Sequence, residues 1–453
     1  MSRVIVIGGG ISGLSSAYYL SKYIPPSQIV ILESTDRLGG LIKSAQFGSA
    51  SVETGPDSFI TRIPTALELA RELELDSALI SPATNSAYIY HNSKLHPIPK
   101  GTVFGAPSDL GTFFGNSLIS LPGKIRALAE PLLAKANIPG DITVGKFAQD
   151  RWGKEVAQIL VDPLVGGIHA GSAFELSLMK CAPQYFTAAK SHRSVTKGLN
   201  AMTMRTQKAA HPPFYSLQGG LTSLVEAIRQ NLIAAGVTIV ANFSVGLIED
   251  TKDGFRVHGD SSTFESEKVI CATPAHVSTN LLKKISPRAS TLLDTIDYSS
   301  PIMTLLAYES DSFPKRPIGS GVLVPRPNRM LTTAVTFASN KWPGWESEGE
   351  FLFRISSGRH GDSRAWKLND EALVSNLEVE LQDILATKAR SMRSEVHRWG
   401  KSLPQFRPFH DQLVSRIRES LPRNLELAGS AYKGVGIPAC ILSGKEAAER
   451  LRG

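Results

Sequence analysis

The sequence predicts an α/β protein in which a Rossmann-like dinucleotide-binding domain is built from discontinuous segments. It also predicts a mixed-sheet domain and an inserted, mostly helical domain. Three observations carry this prediction. An apolar run at residues 4–7 leads into a glycine-rich stretch at residues 8–13 and then into a helical pattern. A second apolar run, at residues 29–32, ends at Glu33. Finally, glycines again precede a helical pattern at residues 218–221.

Each glycine of the first stretch, which has the pattern G-x-G-x-x-G, meets a separate physical requirement. Gly8 permits the tight turn, Gly10 lets the backbone approach a pyrophosphate, and Gly13 allows the helix to pack closely on the strand. The phosphate then lies at a helix N-terminus, where free N–H groups and the macrodipole favour an anion. The carboxylate of Glu33 can accept hydrogen bonds from both ribose hydroxyls, which favours FAD or NAD over NADP.

Length and composition indicate a globular protein of two or three domains. The 453 residues are 42% hydrophobic and 20% charged, which is ordinary for a soluble protein. Cys181, Cys271 and Cys440 are far apart in the sequence. Their odd number favours a reducing compartment over a disulfide framework. The ten histidines are scattered, so no metal site is predicted.

The chain carries a net charge of +8. No nucleic-acid motif accompanies this charge, so an acidic small substrate or an anionic membrane surface explains it better. The densest basic stretch, residues 388–401, also contains Glu395 and apolar residues, and we interpret it as a solvated face. No run of eighteen uncharged apolar residues is present, so no membrane-spanning helix is predicted. We interpret residues 4–7 as a buried strand rather than a signal peptide.

The residues after Glu33 extend the first segment. Arg-Leu-Gly-Gly at residues 37–40 adds two glycines one short turn after the acid, a continuation that NAD sites do not usually have. We predict a hairpin at residues 45–53, a turn at residues 53–59 and a helix at residues 65–73.

The character of the chain changes after this segment. Residues 87–90 and 95–101 predict a hairpin with a proline-locked exit, and prolines and helical patterns follow. Residues 161–171 are rich in small residues. Glycine within a helix costs about 1 kcal/mol relative to alanine. A planar ligand lying against the backbone would explain this stretch, and so would a helix end followed by a turn.

Strand patterns return in the second half of the chain. Residues 224–235 predict a helix, residues 237–240 a strand that residues 244–248 continue, and residues 268–274 an apolar strand ending in a turn. Alternating patterns at residues 303–308, 331–337 and 351–356 predict a separate sheet, which we assign to substrate binding. A strand at residues 425–429 and a glycine-rich entrance at residues 432–440 precede the last helix, whose positive dipole end faces whatever lies in front of it.

These patterns divide the chain into five segments, which form three domains. The predicted boundaries are 1–85, 211–296 and 420–453 for the dinucleotide-binding domain, 86–210 for the inserted helical domain and 297–419 for the substrate domain.

Several stretches, in order over the whole chain, resemble the protoporphyrinogen oxidase family within the flavin amine oxidase superfamily. They are GGGISGL at residues 8–14, RLGG at 37–40, ETGPDSF at 53–59, LQGGL at 217–221 and AYKGVGIPAC at 431–440. Residues 161–171 with 176–178, residues 192–194 and residues 398–406 are similar to stretches specific to this family.

The resemblance implies FAD and a set of contact residues, and it identifies no catalytic side chain. We expect the FAD to be non-covalent, because the glycine stretches at the flavin end offer no cysteine or histidine except Cys440. Val245 would offer its backbone to the adenine, and Trp399 would pack by the flavin. The implied cofactor contacts are Gly8, Gly9, Gly10, Ile11, Ser12, Gly13, Glu33, Arg37, Gly40, Leu41, Gly55, Pro56, Asp57, Ser58, Val245, Trp399, Val435, Gly436 and Ile437. The implied substrate contacts are Arg62, near the propionates, and Gly167 and His169.

The activity that the resemblance implies is the oxygen-dependent, six-electron oxidation of a porphyrinogen in haem biosynthesis, with release of hydrogen peroxide. Residues 95–107 resemble the L-H-P-x-P-x-G-x-x-x-G-x-P stretch of Gram-positive enzymes that make coproporphyrin. We therefore expect coproporphyrinogen III, which has four propionates, as the substrate. Three alternatives stay open: protoporphyrinogen IX oxidation, amine oxidation, and a redox-silent flavin protein that acts as a binding module.

We expect a cytoplasmic protein that binds no nucleic acid. Peripheral membrane association and contact with a ferrochelatase are compatible with the resemblance, and the sequence does not decide them.

Overall fold

The protein is described from a computed structural model that defines residues 2–84, 86–206, 211–260, 262–313, 315–345 and 347–452. Its strands are β1 (Ser2–Ile7), β2 (Ile29–Leu32), β3 (Ser44–Phe47), β4 (Ala50–Glu53), β5 (Phe59–Ile60), β6 (Leu79–Ile80), β7 (Ala87–His91), β8 (Lys94–Pro97), β9 (Thr102–Val103), β10 (Ala106–Pro107), β11 (Phe214–Leu217), β12 (Thr238–Val240), β13 (Val245–Thr251), β14 (Gly254–Gly259), β15 (Thr263–Cys271), β16 (Tyr298–Ser299), β17 (Ile302–Glu309), β18 (Gly321–Leu323), β19 (Thr332–Phe337), β20 (Glu350–Ser357), β21 (Arg393–Arg398), β22 (Leu403–Pro404) and β23 (Leu425–Leu427). Its helices are α1 (Ile11–Leu20), α2 (Thr65–Glu72), α3 (Leu110–Phe114), α4 (Leu121–Leu128), α5 (Val144–Trp152), α6 (Lys154–Val156), α7 (Asp162–His169), α8 (Leu178–Cys181), α9 (Pro183–Ser191), α10 (Val195–Thr206), α11 (Thr222–Ala235), α12 (Ala275–Leu282), α13 (Pro287–Asp294), α14 (Ala338–Lys341), α15 (Asp370–Leu385), α16 (His410–Glu419), α17 (Ser430–Lys433) and α18 (Ile437–Arg452).

The first sheet has the order β12-β2-β1-β15-β14-β13, and β23 pairs with β15. Its members β12, β2, β1, β15 and β23 run parallel to one another. The apolar residues 4–7 and 29–32 are buried, because helices cover both faces of a parallel sheet. The carboxyl ends of these strands therefore meet at one edge.

The helices on one face of this sheet include the first and the last of the chain. Side chains of α1, α2, α11 and α18 form one apolar core with β1 and β2. Side chains of α12, α13 and α16 form a second core on the other face. The α/β fold class predicted from the sequence is confirmed.

The second sheet has the order β21-β17-β20-β19-β18-β7-β8. It is mixed, since β18 and β7 are parallel while the other pairs are antiparallel. The predicted strands at residues 303–308, 331–337 and 351–356 correspond to β17, β19 and β20. The β7–β8 hairpin, which the sequence placed with the inserted helical domain, joins this sheet instead. It covers the edge of β18, whose backbone groups would otherwise lack a neighbour.

Helices α3 to α10 occupy the chain between β10 and β11 and enclose their own apolar core, which includes Trp152 and Tyr185. The boundaries predicted at residues 1, 85, 210 and 453 lie outside the described residues, and the division into domains stays a prediction. No helix among the described residues is long and apolar enough to cross a membrane.

One predicted strand continuation is wrong. Residues 244–248 do not extend the strand at residues 237–240, because β12 pairs with β2 at one end of the first sheet and β13 pairs with β14 at the other. Between them the N–H of Asn242 bonds the carbonyl of Thr35, and the N–H of Phe243 bonds the carbonyl of Glu33. The chain thus leaves β12 and crosses the carboxyl edge of the sheet before it forms β13.

A buried ion pair in the helical segment generates the first prediction. The guanidinium of Arg151 on α5 donates to Glu130, which also accepts from Ser194 Oγ at 2.6 Å and Val195 N at 2.9 Å. Arg151→Met leaves this carboxylate buried without its cation, so we expect a loss of about 3–5 kcal/mol in the free energy of unfolding, measured by urea titration. Lys146→Met on the same helix breaks an exposed pair with Asp150 and is the control, with an expected loss below about 0.5 kcal/mol. Equal losses in the two variants would contradict the prediction.

Candidate functional site

A cavity of about 520 Å³ opens at the carboxyl edge of the first sheet. Residues that directly follow parallel strands line it: Gly10 comes after β1, Ala272 and Thr273 come after β15, and Gly429 comes after β23. Ligands of open α/β sheets bind at this edge, because the strands end there and the connecting loops diverge. The strand register thus places the cavity where a dinucleotide site is expected.

The N-termini of two long helices contribute to the cavity wall. Gly10, Ile11 and Ser12 line it at the start of α1, and Gly436 and Ile437 line it at the start of α18. Gly10 occupies the N-cap position of α1, and a glycine has no side chain that could accept hydrogen bonds from the first N–H groups of the helix. The two positive dipole ends therefore favour an anionic group in this part of the cavity.

The glycines at the start of α1 have different surroundings. Gly8 adopts φ of +104°, and a Cβ on Gly13 would overlap the carbonyl oxygen of Gly8. At Gly10 the nearest atom to an added Cβ is the Cα of Gly40 at 3.9 Å. Gly8 and Gly13 are thus required for the contact of helix with strand, whereas Gly10 leaves space in the cavity.

Glu33 lies at the end of β2, as predicted, and its carboxylate holds the glycine-rich loop. One of its oxygens accepts from the N–H of Gly9 at 2.7 Å, and the other accepts from the N–H of Thr35 at 2.9 Å. Glu33 is itself partly exposed. Its carboxylate therefore lies beside the loop where a ribose is expected.

Arg37 shapes the next loop rather than the cavity surface. Its guanidinium donates to the carbonyls of Leu38 and Ile42, each at 3.1 Å, and to that of Gly40. The N–H of Gly39 bonds the carbonyl of Gly9 at 2.9 Å. These bonds hold the two glycine loops together.

The loop at residues 54–58 is fixed by side chains from the second sheet and its neighbours. Asp57 Oδ2 lies 2.7 Å from Lys341 Nζ and 2.9 Å from Arg354 Nη1. Burial alone would raise the pKa of Asp57, but these two cations lower it well below its usual range. Trp399 Nε1 donates to the carbonyl of Thr54 at 2.8 Å. The Asp57 carboxylate is therefore committed to this network and does not line the cavity.

The predicted cofactor contacts divide into two groups. Those that line the cavity are Gly10, Ile11, Ser12, Gly40, Leu41, Gly55, Pro56, Trp399, Val435, Gly436 and Ile437. Those that do not line it are Gly8, Gly9, Gly13, Glu33, Arg37, Asp57, Ser58 and Val245. Of the second group, Val245 begins β13, two residues after Phe243, which bonds the backbone of Glu33.

The predicted substrate contacts do not all meet at the cavity. Gly167 on α7 lines it. His169 is buried, packs edge-on against Phe406 and does not line the cavity, and burial lowers its pKa to about 4. Arg62 is exposed and lies outside the cavity lining. Of the three, only Gly167 is thus placed to touch a ligand in the cavity.

One histidine and four charged residues of the described chain, to which the sequence analysis assigned no role, line the cavity. They are Asp162, His276, Arg326, Arg359 and Lys401. His276, Arg326 and Arg359 lie in no pattern that marks them as ligand residues. Asp162 and Lys401 lie within the stretches 161–171 and 398–406, but the sequence assigned a role to neither side chain. Burial, with the nearby charge of Lys401, lowers the pKa of His276. Arginine and lysine thus outnumber carboxylates in the cavity wall.

Comparisons with known proteins agree on one family. The sequence profile of the flavin containing amine oxidoreductases matches residues 11–452. A coproporphyrinogen III oxidase of Staphylococcus aureus is 32% identical, with 99% of this chain and 98% of the relative covered. A protoporphyrinogen oxidase of Bos taurus is 30% identical over 99% of this chain and 98% of its own. A crystal structure from Exiguobacterium sp. 255-15, assigned as a protoporphyrinogen oxidase, has a TM-score of 0.90 at 28% identity and covers 100% of this chain and 98% of its own.

The contrast between Gly10 and Gly13 gives a prediction for cofactor binding. Gly10 has φ of −68° and ψ of 172°, which alanine adopts readily. Gly10→Ala should therefore leave the thermal midpoint of the flavin-free protein unchanged but weaken FAD binding by at least about tenfold, or 1.4 kcal/mol, since the methyl group enters the cavity. Gly13→Ala is the comparison and should lower the midpoint as well. FAD titration and thermal melting of both variants check this, and wild-type FAD affinity in Gly10→Ala would contradict it.

Proposed function

Because this chain belongs to the family of flavin containing amine oxidoreductases, and to the part of it that includes the coproporphyrinogen III and protoporphyrinogen oxidases, we propose that it is an FAD-dependent oxidase of coproporphyrinogen III in haem biosynthesis. One observation carries the choice of substrate. Among the described residues, Arg326, Arg359 and Lys401 line the cavity together with a single carboxylate, that of Asp162. This excess of positive charge suits a substrate with four carboxylates.

The flavin fits the part of the cavity next to the first sheet. The N-termini of α1 and α18 would stabilise its negatively charged groups, and the Glu33 carboxylate would accept hydrogen bonds from the ribose. Gly10 leaves the space that a close approach of the pyrophosphate to the backbone requires. When bound, the flavin supplies the two-electron oxidation.

The remaining wall suits a flat macrocycle with an ionised rim. Gly166, Gly167 and Ile168 present one turn of α7 to the cavity, and Met303 and Val324 add apolar surface from the second sheet and the loop after β18. An apolar wall with a few charged groups is typical of small-molecule sites, since apolar contacts give affinity and charged groups fix the orientation of the ligand. Here the apolar residues would contact the ring and the arginines its propionates.

The proposal extends to the electron acceptor and the surroundings. We propose oxygen as the acceptor, hydrogen peroxide as its product, and three successive two-electron oxidations for each porphyrinogen. A substrate with four carboxylates is water-soluble, which supports a cytoplasmic location. Contact with a ferrochelatase and peripheral association with a membrane are compatible with this proposal and form no part of it.

The substrate assignment is tested by anaerobic bleaching of the bound flavin. We expect coproporphyrinogen III to bleach it faster than protoporphyrinogen IX, and kcat/KM for coproporphyrinogen III to fall as salt rises. The reason is that charges further apart than about 8 Å are screened at physiological ionic strength. Stopped-flow absorbance in detergent-free buffer at several salt concentrations measures both effects.

The other outcomes of this experiment identify the alternatives. A kcat/KM at least tenfold higher with protoporphyrinogen IX would favour that substrate. Bleaching by benzylamine or putrescine but by neither porphyrinogen would favour an amine oxidase. A flavin that no substrate bleaches, but that air reoxidises after dithionite, would indicate a redox-silent binding protein.

We also predict that the FAD is bound without a covalent bond. Cys440 is the cysteine that lines the described part of the cavity, and its thiol is directed at the carbonyl oxygen of Gly434, with Sγ and O 3.6 Å apart. Burial raises the pKa of this thiol to about 11, so it is protonated and a poor nucleophile at neutral pH. Acid precipitation should release all of the flavin from wild type and from Cys440→Ser alike. A yellow wild-type pellet that becomes colourless in Cys440→Ser would overturn the prediction.

A further inference from the structure

The Arg359 guanidinium lies in the cavity wall and pairs with no carboxylate in the part of the chain that the structure describes. Arg359 follows β20 by two residues and is half-buried. Its hydrogen bond within the described residues is a long one, from Nη2 to the carbonyl of Thr332 at 3.5 Å. No described carboxylate lies within ion-pair distance of it. A partly buried cation with so few partners is costly in free energy unless an anion joins it.

The neighbouring carboxylate is already occupied by other groups. Asp162 Oδ2 lies 3.4 Å from Arg326 Nε, and Asp162 Oδ1 accepts from the N–H of Ala173 at 2.7 Å. Arg326 also donates from Nη2 to the carbonyl of Gly171 at 2.6 Å. Arg326 and Asp162 thus neutralise each other, and the charge of Arg359 remains as the excess on this wall.

Other charged groups near Arg359 are paired among themselves. Arg364 lies 2.7 Å from Asp362, and His360 Nδ1 lies 3.2 Å from Glu175. Burial lowers the pKa of Arg359 to about 10, and the charge of Arg326 acts in the same direction. The nearby carboxylates of Asp162 and Asp362 oppose this shift. The guanidinium stays protonated at neutral pH, so it can attract an anion.

We propose that Arg359 binds one ionised propionate of the substrate, while Arg326, which lines the same cavity, stays paired with Asp162. This inference rests on the proposed function and assigns it a specificity residue in place of the exposed Arg62. A guanidinium presents two parallel N–H donors that match a carboxylate. The backbone carbonyl of Thr332 would keep one donor, and the propionate would take the others.

The test compares Arg359→Met, Arg359→Lys and the control Arg288→Met. Arg288 is exposed on α13 and does not line the cavity, so its variant removes the same charge elsewhere. In Arg359→Met we expect the KM for coproporphyrinogen III to rise at least about tenfold with a much smaller change in kcat, because a charge-assisted bidentate contact is lost. The KM of Arg359→Lys should lie between those of Arg359→Met and wild type, and the KM of Arg288→Met should equal that of wild type.

A binding measurement separates recognition of a carboxylate from a structural role. Fluorescence titration with coproporphyrin III and with its tetramethyl ester should show weaker binding of the acid, but not of the ester, in Arg359→Met. Equal loss for acid and ester, or a lower kcat with unchanged KM, would show that Arg359 only supports the Thr332 backbone and would overturn the inference.

If wild type does not oxidise coproporphyrinogen III, the proposed function fails and this inference with it. If wild type is active and Arg359→Met has an unchanged KM, only this inference fails.

Discussion

The tight packing of α1 between β1 and α18 is the constraint on which the cavity depends. A side chain on Gly13 would overlap the backbone of Gly8, and one on Gly444 would overlap the carbonyl oxygen of Ser12. Glycine at these two positions lets the first and last helices approach each other and the sheet closely. Their N-termini therefore reach the same cavity, where two positive dipole ends repel each other until an anion lies between them. The packing of the core and the affinity for an anion thus have one origin.

A second set of interactions joins the two sheets through the loop at residues 54–58. Asp57 pairs with Lys341 and Arg354, while Trp399 bonds the backbone of Thr54. Because these cations lower the pKa of Asp57, its contribution to stability is complete above the pKa of an unfolded aspartate. The contribution is lost only as the pH falls through the lower folded value. The loop therefore stays fixed at neutral pH, between the part of the cavity next to the first sheet and the part next to the second.

Local patterns were sufficient to predict the elements that border the cofactor part of the cavity. The glycines at residues 8–13 and the acid at Glu33 belong to neighbouring strands, a turn and a helix. Their spacing along the sequence is therefore sufficient to predict the geometry of this loop. Local patterns failed at residues 244–248. The apolar runs at 237–240 and 244–248 are adjacent in sequence, and nothing in either run indicates that the two strands lie at opposite ends of the sheet. Side-chain direction is equally non-local, since His169 packs against Phe406 from a remote part of the chain.

Local sequence patterns could not identify the charged residues in the part of the cavity next to the second sheet. Arg326 and Arg359 lie on two loops of the second sheet, and each looks like an ordinary surface charge in its own segment. Asp162 lies on α7 in a stretch that only its small residues made conspicuous. The three residues meet only after the second sheet has packed against α7. The sequence indicated their presence solely through an excess of basic residues. A net charge does not tell which of these residues meet in the folded chain.

The distance along the chain between α1 and α18 has a consequence for biogenesis. At about 5–20 residues per second, the ribosome finishes α18 roughly 20–90 s after α1. During that interval the apolar face of α1 that α18 later covers lacks its partner, and one of the two helix ends of the cavity does not yet exist. The complete site therefore forms only after α18 has been synthesised, and we expect the cofactor to bind in its final position after that point. Until then the uncovered apolar face of α1 is the kind of surface through which partly folded chains aggregate.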